Sequence, residues 1–289
     1  KKWIIFMLDV LKNYYFLLRI DKPIGVYLLL WPSLSAIWLA SLGRPDILII
    51  IVFCLGCFLT RSAGVVINDL LDQKLDRKVL RTFNRPIANK SVSNTEAILI
   101  LFVLASLAAS LLFFLSYLSI LVAFFCILLI ATYPLMKRFF AIPQLYLSIC
   151  YSMGIFMAFA YYENSFPINC WLLFLANLFW VLAYDTVYAL SDRKDDLLAN
   201  IKSSAIFFQG KEYLILWICY LLLITFLILI GIFNSFSIIY FLILIFNLIL
   251  IVYFMNSTNF DKPSDCSNFF KKNHWLGIGI FISFIVAYL

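Results

Sequence analysis

The sequence predicts an all-α membrane protein that crosses the bilayer nine times. Hydrophobic residues make up 65% of the 289 residues and charged residues only 13%, a balance that excludes a water-soluble domain. Nine apolar stretches are long enough to span a bilayer as helices. They lie at about 23–41, 46–66, 97–115, 118–136, 143–161, 168–190, 213–232, 237–255 and 273–289. Charged residues concentrate between these stretches, so we expect one polytopic domain over residues 1–289.

Residues 1–22 precede the first predicted span and differ from it. The segment is largely apolar, but Asp9, Lys12 and Asn13 share one helical face. This pattern is typical of a helix that lies along the membrane interface. An Asp inside the apolar region favours this interpretation over a signal peptide. We therefore expect an interfacial helix over 1–22 and nine transmembrane helices over 23–289.

The basic residues predict the orientation in the membrane. All of the 22 Lys and Arg residues except Arg44 lie before the first span, at the end of the second, or in the loops at 67–96, 137–142, 191–212 and 256–272. By the positive-inside rule these segments face the cytoplasm of a bacterium, or the matrix of a mitochondrion. We therefore expect an inner-membrane protein. Its net charge of +7 reflects this topology together with an anionic ligand or the lipid bilayer, and gives no reason to expect nucleic acid.

Two acidic clusters each follow a long apolar run. They contain seven of the fifteen Asp and Glu residues, namely Asp69, Asp72, Asp76, Asp185, Asp192, Asp195 and Asp196. At helical spacing Asp72 and Asp76 lie one turn apart on one face, with Asn68 one turn earlier. Asp192 and Asp196 repeat the arrangement. Like charges so placed repel each other, and clustered oxygen ligands suit a hard cation such as Mg²⁺, which usually also binds a phosphate.

Basic residues surround both clusters in an order that suits a diphosphate. They are Arg61, Arg77, Arg81, Arg85, Lys137, Arg138 and Lys202. A lattice of salt bridges at the membrane boundary would account for some of these charges. It would not explain why the two clusters share a spacing while the loops on the opposite side carry almost no charge. A divalent ion bridging carboxylates and diphosphate oxygens accounts for the charges of both signs.

The spacing of the clusters also suggests an internal repeat. Asp72 and Asp192 are 120 positions apart, and so are Asp76 and Asp196. Four predicted spans lie between the clusters, and an even number places both on the same side of the membrane. The pattern suggests a duplicated four-helix unit whose two acidic clusters face one cavity.

Several motifs around the clusters extend through nearly the whole chain. They include Asn68-Asp69-x-x-Asp72-x-x-x-Asp76, Arg81-Thr82-x-x-Arg85-Pro86, Tyr133-Pro134-x-x-Lys137-Arg138, Asp185-Thr186-x-Tyr188-Ala189-x-x-Asp192-x-x-Asp195-Asp196 and Lys202-Ser203. With these motifs the chain resembles the UbiA superfamily of intramembrane aromatic prenyltransferases, and within it the 4-hydroxybenzoate polyprenyltransferases. The resemblance implies nine membrane helices around a central cavity. It also implies transfer of a polyprenyl group from polyprenyl diphosphate to C3 of 4-hydroxybenzoate, a small aromatic acid, in ubiquinone biosynthesis.

The resemblance further implies roles for individual residues. Two Mg²⁺ ions, for which Mn²⁺ can substitute, would be held by Asn68, Asp72 and Asp76 and by Asp192 and Asp196, and the four Asp residues would be catalytic. Substrate contacts would come from Arg61, Arg81, Arg85, Lys137, Arg138, Lys202, Asp195 and Tyr133. An acidic acceptor needs one further cation, for which we select Arg19.

Two alternative functions remain open at this point. Other UbiA-type prenyltransferases, which make menaquinone, haem O or lipid ethers, would use the same metals and differ only at the acceptor end of the cavity. A cation-coupled transporter would also use membrane acids. Transporters usually place such acids in the middle of broken helices between inverted repeats, whereas here the acids follow the apolar runs.

The one-sided charge distribution generates a labelling prediction. In a background without the seven native cysteines, Ser93→Cys and Ser203→Cys should react with a membrane-impermeant thiol reagent only from the cytoplasmic or matrix side. Ser165→Cys should react only from the opposite side. Inverting one half would carry several loop charges across the hydrocarbon, at about 2.5–3.5 kcal/mol each. Labelling of positions 93 and 203 from opposite faces would contradict a shared cavity.

Overall fold

The computed structural model describes residues 2–77, 82–198 and 201–289. This part of the chain contains helices and turns and no β-strand. The helices are α1 (Lys2–Leu17), α2 (Ile24–Ala40), α3 (Ile47–Asp76), α4 (Asn94–Leu111), α5 (Tyr117–Phe139), α6 (Pro143–Tyr162), α7 (Ile168–Leu198), α8 (Ser204–Phe207), α9 (Glu212–Phe233), α10 (Ile238–Asn256) and α11 (Pro263–Ala287). A short 3₁₀ helix, Leu112–Phe114, follows α4.

Among the described residues, nine helices coincide with the nine predicted spans. Seven of them are long and apolar enough to cross a membrane: α3, α4, α5, α6, α7, α9 and α10. Helix α2 is apolar but has only 17 residues, and the first half of α11 contains Lys271 and Lys272. The protein is therefore an all-α integral membrane protein with several spans. The count of nine stays a prediction.

Three helices extend further than the apolar pattern predicts. The spans predicted to end near 66 and 190 continue to Asp76 in α3 and to Leu198 in α7, and the last helix begins at Pro263 instead of 273. Hydropathy detects the apolar stretch only, whereas a helix continues into polar sequence as long as its backbone hydrogen bonds are made. The prediction of loops at these ends was wrong, and both acidic clusters are helical.

The chain divides into two compact units. Unit 1 contains Lys1–Val26 and Cys54–Phe114, and unit 2 contains Tyr27–Phe53 and Leu115–Leu289. This division does not follow the four-helix repeat suggested by the spacing of the acidic clusters. The repeat and the single-domain organisation therefore stay predictions.

Unit 1 packs the end of α1 against α3 and α4. Leu17 is fully buried in a cluster that includes Val66 of α3 and Ala97 of α4. The Tyr14 hydroxyl donates to Glu96 Oε1 at 3.3 Å, and Glu96 also completes a capping box with Ser93 at the start of α4. Because a capping box satisfies backbone donors at the helix start, the same glutamate both begins α4 and anchors α1.

Unit 2 contains a buried polar link between three helices. Asn273 Oδ1 of α11 accepts from Trp180 Nε1 of α7 at 2.9 Å and from the Tyr220 hydroxyl of α9 at 3.0 Å. All three residues are buried. Polar groups in a membrane interior have no water to bond, so satisfying both donors with one amide stabilises this arrangement. The link holds α7, whose last turns carry the second acidic cluster.

The structure changes one position of the labelling test. Ser93 and Ser165 are exposed, but Ser203 is only 3% exposed, so a cysteine there would react slowly from either side. Gln209, which is exposed in the turn after α8, is the better reporter for the same predicted loop.

Two helical glycines generate a stability prediction. A Cβ on Gly277 would lie 2.5 Å from Trp31 Cδ1 and 2.7 Å from Trp180 Cη2, whereas a Cβ on Gly56 would meet only Leu111 Cδ1 at 3.9 Å. Gly277→Ala should therefore lower the free energy of unfolding by about 1–3 kcal/mol through overpacking. Gly56→Ala, its matched control, should be neutral or raise it by up to about 1 kcal/mol. Thermal unfolding in detergent measures both, and equal effects would contradict the packing described.

Candidate active site

The first acidic cluster lies on the last turns of α3. Asn68, Asp72 and Asp76 follow one another at intervals of one turn in this continuous helix, which confirms the predicted spacing. Asp76 is 7% exposed, and Asn68 and Asp72 are half-buried. The row offers two carboxylates and one amide oxygen along one side of a single helix.

Asp69 joins this row to two arginines of unit 1. It is 2% exposed, and its Oδ2 accepts from Arg19 Nη2 at 3.0 Å. Arg85 Nη1 donates to Asp69 Oδ1 at 3.0 Å and to Asp76 Oδ2 at 2.8 Å. Arg85 therefore bridges two buried carboxylates, which partly offsets the repulsion between them.

A third arginine lies beside the same group. A Cβ on Gly25, in the first turn of α2, would lie 2.5 Å from Arg61 Nε, so the absence of a side chain there makes room for the guanidinium. Burial lowers the pKa of Arg19, Asp69 opposes this shift, and the positive charges of Arg85 and Arg61 add to it. The guanidinium still remains protonated, because its ordinary pKa is above about 12. Arg85 and Arg61 are thus both within electrostatic reach of Arg19.

The second acidic cluster lies on the last turns of α7, in unit 2. Asp192 and Asp196 are one turn apart in the helix, as predicted, and both are half-buried. Asp195 is exposed, and Asp185 lies about two turns before Asp192 on the same helix. Both clusters thus have the same placement, at the polar end of a helix that is apolar over most of its length.

A lysine follows the second cluster and contacts the end of α5. Lys202 is exposed, and its Nζ donates to the carbonyl of Phe139 at 3.0 Å. Arg138, which precedes Phe139 in the chain, is also exposed. Tyr133 lies earlier in α5 and is half-buried. A depression of about 210 Å³ is lined by Asp196, Lys202 and Ser203 together with apolar residues. Unit 2 therefore brings one acidic and one basic member of the predicted site together.

Two predicted residues cannot be placed, and one arrangement stays open. Arg81 lies outside the described residues, and so does the side chain of Lys137, whose backbone is in α5. The first cluster belongs to unit 1 and the second to unit 2. Their convergence on one central cavity therefore stays a prediction, as do the roles assigned to the site residues.

The oxygen donors fit Mg²⁺ in their chemistry. Among the described residues no three His, Cys, Asp or Glu side chains converge on one point. Helix α3 instead offers two aligned carboxylates and the Asn68 amide, and α7 offers two carboxylates. Mg²⁺ is usually bound by one or two carboxylates and completes its shell with water and substrate phosphates. A set this small fits an ion that binds together with a phosphorylated substrate.

Two features of the site were not predicted from the sequence. Asp69 was grouped with the acidic cluster but given no partner, although it precedes Asp72 by three residues and so shares its side of the helix. The contact of Gly25 with Arg61 was also missed. A Pro-Ile-Gly segment opening a helix indicates close packing but does not identify the residue that fills the space.

Comparison with known proteins supports the resemblance over almost the full length. The chain is 42% identical over 277 residues to a 4-hydroxybenzoate octaprenyltransferase of Methylobacillus flagellatus, covering 96% of this chain and 94% of the relative. It is 38% identical over 282 residues to the enzyme of the same name from Francisella tularensis subsp. novicida, covering 96% and 98%.

The fold is similar to that of a solved structure. A UbiA homolog from Archaeoglobus fulgidus, bound to GPP and Mg²⁺, aligns with a TM-score of 0.75 and 17% sequence identity, covering 96% of this chain and 99% of that one. The UbiA prenyltransferase family matches residues 29–285. This match includes both acidic clusters, and it extends from within α2 to the last turn of α11. The chain belongs to the UbiA prenyltransferase family.

Proposed function

We propose that this protein transfers a polyprenyl group from polyprenyl diphosphate to C3 of 4-hydroxybenzoate in ubiquinone biosynthesis. The observation that carries the proposal is the pair of carboxylates one turn apart at the polar end of two long helices, α3 and α7, each with cationic side chains nearby. Identity over nearly the whole length to two 4-hydroxybenzoate octaprenyltransferases supports the acceptor and a long prenyl donor.

The cationic side chains would bind the diphosphate. In unit 1 these are Arg61 and Arg85, together with Arg81, and in unit 2 they are Lys202, Lys137 and Arg138. Tyr133 and Asp195 would be further substrate contacts. Guanidinium and ammonium groups stabilise the negative charge that develops on a departing pyrophosphate. Mg²⁺ held by Asn68, Asp72 and Asp76 and by Asp192 and Asp196 would supply further charge neutralisation.

The acceptor half needs different properties. Breaking the C–O bond leaves an allylic cation that apolar helices shield from water and that aromatic faces can stabilise. The electron-rich ring of the phenol attacks this cation ortho to the hydroxyl. The ring proton then leaves to a carboxylate or to pyrophosphate, giving prenylated 4-hydroxybenzoate and pyrophosphate. Arg19 would bind the acceptor's carboxylate, which a guanidinium can hold through two hydrogen bonds.

We also propose where this chemistry takes place. The chain would form one UbiA-like domain, with residues 1–22 along the membrane interface and the polar ends of α3 and α7 on the cytoplasmic side of the bacterial inner membrane, or on the matrix side in a mitochondrion. Support comes from the basic residues near both clusters, because positively charged segments stay on the inner side.

The acceptor is tested with purified protein in detergent or liposomes. Labelled octaprenyl diphosphate and Mg²⁺ are incubated with 4-hydroxybenzoate, the menaquinone precursor class of dihydroxynaphthoates, haem and a glycerol phosphate. Prenyl transfer to 4-hydroxybenzoate alone is the expected outcome. Transfer to another acceptor would move the protein to a different branch of the family, and vectorial cation movement without product would indicate a transporter.

The acidic pairs generate a prediction of metal dependence. Prenyl transfer should vanish in excess EDTA, because the metal ions that these acidic pairs would hold could no longer neutralise the charge of the leaving diphosphate. Activity should return when Mg²⁺ or Mn²⁺ is added above the chelator concentration. Initial rates of product formation measure both steps, and full turnover in the chelator would reject the two-metal interpretation.

Substitutions should separate metal ligands from diphosphate contacts. Asp72→Ala and Asp192→Ala should lower kcat by about 100-fold or more, since each removes a proposed ligand of the metal ions that would stabilise the leaving diphosphate. Arg61→Ala should mainly raise the KM for prenyl diphosphate.

Gly25→Ala provides a structural counterpart to Arg61→Ala. The added methyl group would occupy the space of the Arg61 guanidinium, so the variant should raise the same KM while keeping the arginine. Steady-state kinetics with both substrates varied measures these effects. Wild-type kinetics in either Asp variant would contradict the proposed ligand roles.

A further inference from the structure

Asp69 is a buried carboxylate for which the proposed chemistry has no use. We propose that Asp69 is a positioning residue that holds Arg19 and Arg85 in a fixed relation, so that the acceptor's carboxylate and the donor's diphosphate are bound at a set distance from each other. This inference rests on the proposed function, which assigns Arg19 to the acceptor and Arg85 to the diphosphate.

The contacts connect the two arginines through one side chain. Arg19 Nη2 donates to both oxygens of Asp69, at 3.0 Å and 3.4 Å, and Arg85 Nη1 donates to Asp69 Oδ1 at 3.0 Å. A guanidinium has five N–H donors on three nitrogens, and these bonds engage one nitrogen of each arginine. The carboxylate can therefore orient both groups while leaving them capable of binding an anion.

The charges in this part of unit 1 favour such a role. Asp69 is 2% exposed, and a carboxylate so deeply buried is stable only when cations compensate it. Arg19 and Arg85 supply two positive charges to this one negative charge, and Arg61 lies nearby. Asp76, which shares Arg85, is assigned to a metal ion. Asp72, also a proposed metal ligand, acts on Asp69, and Asp21 acts on Arg19. With Asp72 and Asp76 assigned to the metal ion, three arginines face two carboxylates, and this excess of positive charge suits anionic ligands.

The backbone at Arg19 provides a second, independent observation. Arg19 has a φ of 56° and follows α1, where Arg19 N donates to the carbonyl of Phe16 and Ile20 N to that of Tyr15. This is the Schellman motif, in which the left-handed position is usually glycine. A residue with a β-carbon is less favourable there than glycine, and Arg19 is one of five non-glycine residues of the described chain with a positive φ. The Schellman turn fixes the point from which the Arg19 side chain extends to Asp69. The turn thus fixes the backbone of Arg19, and Asp69 fixes its guanidinium.

The test compares steady-state kinetics of three single variants. Arg19→Gln should raise the KM for 4-hydroxybenzoate, and Arg85→Gln the KM for prenyl diphosphate. Asp69→Asn keeps the shape but loses the charge, and should raise both KM values about tenfold while kcat changes little. Asp46→Asn is the matched control: Asp46 caps the start of the same helix through Leu48 N, and this variant should behave like the wild type.

A double variant separates positioning from a general structural effect. Arg19→Gly suits the left-handed backbone, so this variant should fold and raise the KM for 4-hydroxybenzoate. Adding Asp69→Asn to it should raise that KM no further, because the coupled partner is already gone. The proposal is overturned if the double variant shows the product of the KM increases of its two single variants. It is also overturned if Asp69→Asn lowers kcat and leaves both KM values unchanged.

Two further measurements keep the test decisive. If Asp69→Asn does not fold, as judged by its unfolding midpoint in detergent, Asp69→Glu retains the charge but displaces both arginines and should raise both KM values; unchanged values would overturn the proposal.

Equilibrium dialysis of labelled 4-hydroxybenzoate and of pyrophosphate with Mg²⁺ is done in parallel. If the wild type binds pyrophosphate but transfers nothing to 4-hydroxybenzoate, the proposed function fails. The role of Asp69 is then tested by pyrophosphate binding alone, which Asp69→Asn should weaken. Unchanged pyrophosphate binding in this variant would reject the role of Asp69 toward Arg85.

Discussion

Compensation of buried negative charge is the constraint on which the site depends. Asp69 and Asp76 are almost fully buried at the end of α3, where an uncompensated carboxylate would be strongly destabilising. Arg19 meets this requirement from the turn after α1, and Arg85 from the loop between α3 and α4. Charge compensation therefore also ties the end of α1 and the loop before α4 to the acidic helix. The fold of unit 1 and the chemistry of its acidic cluster share the same ion pairs.

In unit 2 the acidic cluster of α7 is positioned by buried hydrogen bonds and close packing. Helix α7 is held by buried hydrogen bonds through Asn273 and by close packing at Gly277, both distant in sequence from Asp192. Arg193 of α7 also pairs with Glu212 at the start of α9. The acidic residues at its end are thus presented by a helix whose orientation is set within the apolar region, where unpaired polar groups are most costly.

Most of the fold follows from the sequence because the membrane restricts what a chain can do. A segment in hydrocarbon must satisfy its own backbone hydrogen bonds, so each apolar stretch became a helix close to its predicted bounds. The ends of α3, α7 and α11 were not predicted, because polar residues continue a helix without any hydropathy signal. The i,i+4 carboxylates were predicted from helix geometry alone. The partners of Asp69 were not, since Arg19 is 50 residues away in sequence and no local pattern identifies such a contact.

The length of α3 determines the depth at which its carboxylates lie. The helix has 30 residues without interruption, and at about 1.5 Å per residue it is roughly 45 Å long. The hydrocarbon core of a bilayer is only about 30 Å thick. A helix of this length that begins at one boundary of the hydrocarbon core therefore extends roughly 15 Å past the other boundary. Lipid headgroups occupy this layer. A lipid diphosphate could therefore contact these carboxylates with its diphosphate in the headgroup layer and its hydrocarbon chain in the bilayer core. Binding would not require the diphosphate to enter the hydrocarbon or the chain to enter water.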